Sequence, residues 1–154
     1  MIRFSIFVLV LVMAHVFKAS GQLAVGYNTD GNTLTLSTNP ENRVWGEFRV
    51  NTKAYNQAPW SYSDRGITQV YLLTSVFDTK DVKLYAGGGL GINLLTETTE
   101  RWLGINAAAG LRINPFEKLP GLYLIGEYVP MFVVIEDVPI IHTLSAGFRF
   151  MLRK

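Results

Sequence analysis

From Gln22 onward, apolar residues recur at every second position, a period that puts them on one side of an extended chain and nowhere coherent on a helix. Leu103, Ile105, Ala107, Ala109, Leu111 and Ile113 alternate with Trp102, Gly104, Asn106, Ala108, Gly110 and Arg112. Val82 to Leu94, Val44 to Asn51 and Thr143 to Leu152 repeat the pattern. One face of each segment is apolar, and the other is small, polar or charged. Turn residues punctuate the chain, with Asp30-Gly31 reading as a tight hairpin between Gln22–Asn28 and Asn32–Thr38. Ile67–Phe77 and Gly121–Val133 alternate less cleanly, and Ile140–Met151 is the last segment.

Counting predicts about eight strands, most near the 9–11 residues that cross a bilayer at a tilt. The breaks sort into two rims. Asn39–Asn42, Asp78–Asp81 and Asn114–Gly121 are compact; opposite them lie Asp30-Gly31, Ala54–Arg65, Thr96–Arg101 and Ile135–Pro139, mostly longer. The expected fold is all-β: a closed, antiparallel, up-and-down transmembrane barrel over residues 22–154.

Residues 1–21 carry the three-part layout of a cleaved secretory signal. Arg3 precedes the apolar run Ile6–Phe17, and Ala19-Ser20-Gly21 supplies small residues for a cut after Gly21. Removing Arg3 and Lys18 leaves twelve bases against twelve acids in a neutral mature chain. That balance argues against a nucleic-acid partner. The chain has no cysteine, so neither a disulfide framework nor a lipoprotein anchor is available. Charged residues make up only 17%, and the mean hydropathy is +0.21.

A soluble barrel would show the same alternation with its apolar face turned inward. Three features favour apolar-outward: glycines and alanines crowd the other face, that face carries charges of both signs, and the signal sends the chain across the inner membrane. The inward charges are Glu47, Arg49, Arg112, Glu127 and Arg149. If Val134 pairs with about His142, Glu127 falls opposite Arg149, which predicts a Glu127–Arg149 bridge plugging an interior without an open pore.

The last segment, Ser145-Ala146-Gly147-Phe148-Arg149-Phe150-Met151-Leu152, resembles the C-terminal assembly signal of outer-membrane barrels, with Gly147, Phe150 and Leu152 at its defining positions. Arg153-Lys154 departs from that pattern, since many such proteins stop on an aromatic residue. Tyr85–Gly91, Gly110–Pro115, Pro120–Tyr123 and Gly126–Tyr128 are similar to stretches of small porin-family or OmpA/OmpX-like barrels of Gram-negative bacteria. The resemblance covers nearly all of residues 22–154 in short, weakly specific pieces. It implies an outer-membrane location, contact with outer-membrane lipid and lipopolysaccharide, and recognition by the barrel-assembly machinery, with membership of a larger envelope complex left open. It implies no particular activity.

Candidate chemistry is sparse. His142 shares parity with Leu144 and faces away from Ser145, so a hydrolytic Ser–His pair is not formed; the lipid A deacylases' His-x-Ser pattern has Leu144 in place of serine. The only other histidine, His15, lies in the signal, which excludes a multi-His metal site. Asn28–Asn32 lacks the distal glutamate of a calcium loop, and Gly87–Gly91 has no helix behind it to bind phosphate. No catalytic, cofactor or metal residue is assigned. Tyr55, Trp60, Tyr62 and Arg65 in the longest loop admit two readings, aromatic anchors at a membrane interface or a recognition surface. The expected role is structural, adhesive or surface-binding and not enzymatic. The alternatives are a lipid-modifying hydrolase using His142 and a soluble lipocalin-like carrier.

Overall fold

The computed structural model describes residues 22–51, 68–92, 103–116, 118–134 and 140–152. Residues 1–21, expected as a signal, the candidate surface residues Tyr55, Trp60, Tyr62 and Arg65, and the last two residues lie outside them. Eight strands follow in order: β1 (Leu23–Asn28), β2 (Thr33–Thr38), β3 (Val44–Asn51), β4 (Thr68–Asp78), β5 (Val82–Ile92), β6 (Leu103–Ile113), β7 (Leu122–Val133) and β8 (Ile141–Leu152). Each pairs antiparallel with the next, and β8 returns to β1, so the sheet closes on itself.

The registers define how the wall is sheared. Ala24 pairs with Ser37, Ser37 with Glu47, Glu47 with Tyr71, and the path continues through Gly89, Asn106 and Met131 to Ile141. Yet Ala24 itself pairs with Met151, ten residues further along β8. Closure with that offset tilts the strands by about 40° and leaves a bore only wide enough for side chains.

Two irregular stretches have local causes. In β4 the register slips between Ser75 and Phe77, a bulge that puts both Val76 and Phe77 outside and blurs the alternation there. In β7, Pro130 has no N–H to give, and the β6–β7 ladder skips from Met131 to Tyr128 without changing register. The β1–β2 connection is built around Asp30-Gly31, as the tight-hairpin signal predicts. It is a four-residue link, Thr29 to Asn32, containing a short 3-10 turn, and Asn32 takes the left-handed conformation at φ 53°. An Asn side chain tolerates that region, here with its amide oxygen accepting from the Tyr27 hydroxyl at 2.6 Å.

Orientation follows the expected sense. Leu103, Ile105, Leu111 and Phe148 face outward, with Leu72, Leu84, Leu90, Leu124, Phe132, Phe150 and Leu152. Glu47, Arg49, Lys83, Arg112, Glu127 and Arg149 are buried, together with Trp45, Tyr71, Leu73, Tyr85, Ile125 and Met151. A charged interior inside an apolar exterior reverses the arrangement of a soluble domain. Small inward positions make room for these side chains. A Cβ on Gly89 would stand 2.8 Å from Cδ1 of Tyr71, so that glycine is the space the tyrosine ring occupies.

Candidate functional site

Inward parity on β3, β7 and β8 brings four ionic side chains together in the middle of the barrel. Arg49 presents its guanidinium fork to Glu127, with Nη1 2.6 Å from Oε2 and Nη2 2.7 Å from Oε1. Its Nε donates to Glu47 Oε1 at 2.7 Å, and its plane lies 4.2 Å from the centre of the Tyr71 ring. Arg149 takes the other side of Glu47, donating from Nη2 at 2.6 Å and from Nε at 3.3 Å. Arg149 Nη1 donates to Asn28 Oδ1 at 2.6 Å, and the Tyr85 hydroxyl donates to Glu127 Oε1 at 3.1 Å. Two arginines and two glutamates therefore cancel, with Glu127 only 1% and Arg49 2% exposed. Bidentate, charge-assisted bonds of this kind offset the desolvation that burial of isolated charges would cost.

This geometry corrects the expected bridge. Glu127 sits opposite Ser145, not Arg149, whose partner on β7 is Tyr123. The true register differs from the expected one by four residues. An even slip leaves every side chain on its own face, so alternation alone does not distinguish the two registers. Glu127 pairs instead with Arg49, and Arg149 with Glu47. Arg112 joins neither pair. It lies toward the short-turn rim, where Nη1 donates to the Pro40 carbonyl at 2.6 Å and the guanidinium covers the Tyr123 ring at 4.4 Å. Tyr71, Tyr85 and Asn28 were absent from the sequence-derived cluster. Their shared parity with Glu47, Gly89 and Arg149 is the signal that could have found them.

Toward the β1–β2 link the interior is polar. Asn28 Nδ2, Thr35 Oγ1, Tyr71 Oη, Ser145 Oγ and both side-chain atoms of Asn106 are buried there without a protein partner. Asp30 Oδ1 shares that condition. Burial pushes the Asp30 carboxyl up to about 6; the positive Arg49 opposes the rise and Glu127 adds to it. Among the described residues no group of three or more histidine, cysteine, aspartate or glutamate side chains could hold a metal ion.

His142 is exposed on the outer face. Its Nδ1 lies 2.5 Å from the Tyr128 hydroxyl, and the two rings stack at 5.9 Å and 8°. Ser145 is buried on the other side of the same strand, so the structure does not bring the pair together. Gly147 faces inward against Asn28, while Phe150 and Leu152 lie outside where β8 closes onto Val25 and Leu23.

No protein-family profile and no curated protein sequence matches the chain. Among solved structures it is similar to the N-terminal β-barrel domain of Pseudomonas aeruginosa OprF, with a TM-score of 0.55 at 12% identity, over 85% of this chain and 96% of that one. The Yersinia pestis outer membrane protein Ail, in a phospholipid bilayer nanodisc, gives a TM-score of 0.48 at 17% identity, over 85% and 97% of the two chains. At that identity the OprF likeness speaks for the fold: a closed eight-stranded antiparallel barrel, as the alternation predicts.

Proposed function

We propose that this chain is an integral outer-membrane β-barrel whose interior is closed by its own side chains, and which works through its outer loops and lipid-facing belt. The observation that carries the reading is the inverted polarity of the wall. Leu72 is 63% exposed and Leu144 is 82% exposed, while four ionic side chains are sealed inside. Exposed apolar surface on this scale is costly in water and neutral in hydrocarbon. A closed ring of strands also leaves no unpaired edge along most of the wall, which a bilayer demands.

The closed interior is supported by the Glu47–Arg49–Glu127–Arg149 cluster and by Trp45, Leu73 and Tyr85 packed beside it. A structural, adhesive or surface-binding role is the reading that remains when no nucleophile–base pair is formed among the described residues. Outer-membrane lipid and lipopolysaccharide are its proposed surroundings, and the barrel-assembly machinery, reading Gly147, Phe150 and Leu152, its proposed route of insertion. Tyr55, Trp60, Tyr62 and Arg65 keep their two proposed roles, anchoring or recognition.

Cell fractionation followed by gels of boiled and unboiled samples tests the reading. The chain should sediment with the outer membrane, and the unheated form should migrate apart from the heated one. Recovery in a detergent-free soluble fraction would favour the carrier, and an altered lipid A acylation pattern in H142A would favour the hydrolase.

A further inference from the structure

At the short-turn rim two cations stand where electrostatics alone would not put them. Lys83 on β5 and Arg112 on β6 are direct cross-strand partners, both facing inward, with 5% and 6% exposure. Like charges directly opposite one another repel, and burial strengthens the repulsion. Lys83 has an answer in Asp78, whose carboxylate lies 2.5 Å away, and it also donates to the Glu41 carbonyl at 3.2 Å. Arg112 does not. Among the described residues it is the buried cation without a carboxylate at ion-pair distance, whereas Arg49, Arg149 and Lys83 each have one.

The groups in direct contact with Arg112 are neutral, the Pro40 carbonyl on Nη1 and the Tyr123 ring against its face, while Asp78 and Glu41 act on it from beyond ion-pair distance. The Tyr123 hydroxyl is held at 2.6 Å by Glu41 Oε1, which sets the ring as a wall. Beside these groups opens a recess of about 340 Å³, bounded by Glu41, Asp78, Asp81, Lys83, Arg112 and Tyr123. Its volume is within the range of small-ligand sites. A guanidinium fork with a lysine beside it matches the geometry and charge of an oxyanion.

We propose that this recess binds a small oxyanion, a phosphate or carboxylate group, between the Arg112 fork and the Lys83 ammonium. Bound there, the anion relieves the Lys83–Arg112 repulsion and gives Arg112 an ion pair at contact distance, which Asp78 and Glu41 do not make with it. The same chemistry is offered by free phosphate and by a phospholipid headgroup at the membrane edge. The acidic residues around the mouth limit the site to small or already screened anions.

The test uses the full-length chain folded in an uncharged sugar detergent, with the Arg112 side-chain Nε–H and the Lys83 amide followed by NMR. Inorganic phosphate should produce a saturable shift at both, and sodium chloride at matched ionic strength should not. R112K keeps the charge but loses the fork, and should weaken binding roughly tenfold. K83Q should weaken it by a smaller factor, and a dispersed amide spectrum confirms that each variant is folded. If micelles show no response but nanodiscs containing phosphatidylglycerol shift these signals relative to phosphatidylcholine discs, the site stands with a lipid as its source. Identical shifts with chloride, unaltered affinity in R112K, or no response in either setting overturns it. None of these results depends on where in the cell the barrel resides.

Discussion

At the residue scale, the interior cluster is a matter of which charge faces which. Glu47 accepts from two arginines and Glu127 from one arginine and a tyrosine, so no carboxylate oxygen of the cluster is left bare. Removing one member would strand a buried charge, which costs about 3–5 kcal/mol in comparable pairs. A double-mutant cycle separates direct partners from mere neighbours. Arg49→Met with Glu127→Gln, unfolded by guanidinium in detergent, should show a coupling of roughly 1–3 kcal/mol. Arg149→Met with Glu127→Gln should couple at about half that or less, since the two groups are linked only through Glu47 and Arg49. Equal couplings would restore the Glu127–Arg149 bridge expected from parity.

At the scale of the strand, β5 explains why so many small residues share one face. Tyr71 crosses from β4 to lie over Gly89, and the Tyr85 ring fills the place a side chain on Gly110 would need. Gly126 is the contrasting case. It faces outward on β7, and a Cβ there would meet nothing within 4 Å. Gly89→Val should therefore abolish the heat-modifiable band, because the backbone of Val70 also blocks the new carbon and cannot yield. Gly126→Val should fold with stability within about 0.5 kcal/mol of the parent. Similar losses in both would mean that strand propensity governs these positions and lumen space does not. The β4 bulge and Pro130 belong to this scale too. Both interrupt the alternation in the sequence, and both prove to be local events that leave the overall pairing order unchanged.

For the whole molecule, the wall is uneven. β1 and β2 have six residues each, against eleven or twelve in β4 to β8. Six residues fall short of the span a bilayer asks for, so the barrel is low on its β1–β2 side and tall opposite. The upper part of β8, from Ile141 to Ser145, rises above the end of β1, where Thr29 makes the last backbone bond to Ala146 at 2.8 Å. On the tall side the belt reads as lipid-facing, and that has a measurable consequence. Leu72→Arg should cost about 2–4 kcal/mol when unfolding is followed in phospholipid vesicles, the penalty for arginine near a bilayer midplane. A cost below about 0.5 kcal/mol, ordinary for an exposed site in water, would remove hydrocarbon from the account.

Much of this was legible in the chain itself. Two-residue alternation settles that Leu103, Ile105 and Leu111 share one face with Phe148's side of the wall, and that Glu47, Arg49 and Glu127 share the other; turn residues settle the number of strands. Periodicity is local, and a strand displays its two faces without help from its neighbours. Which arginine meets which glutamate is a different kind of fact. It depends on register and shear, which any even slip changes without moving a single side chain to the other face. Only the closed barrel, with its ten-residue offset, carries Arg49 across to Glu127 and leaves Arg112 beside Lys83 at the rim.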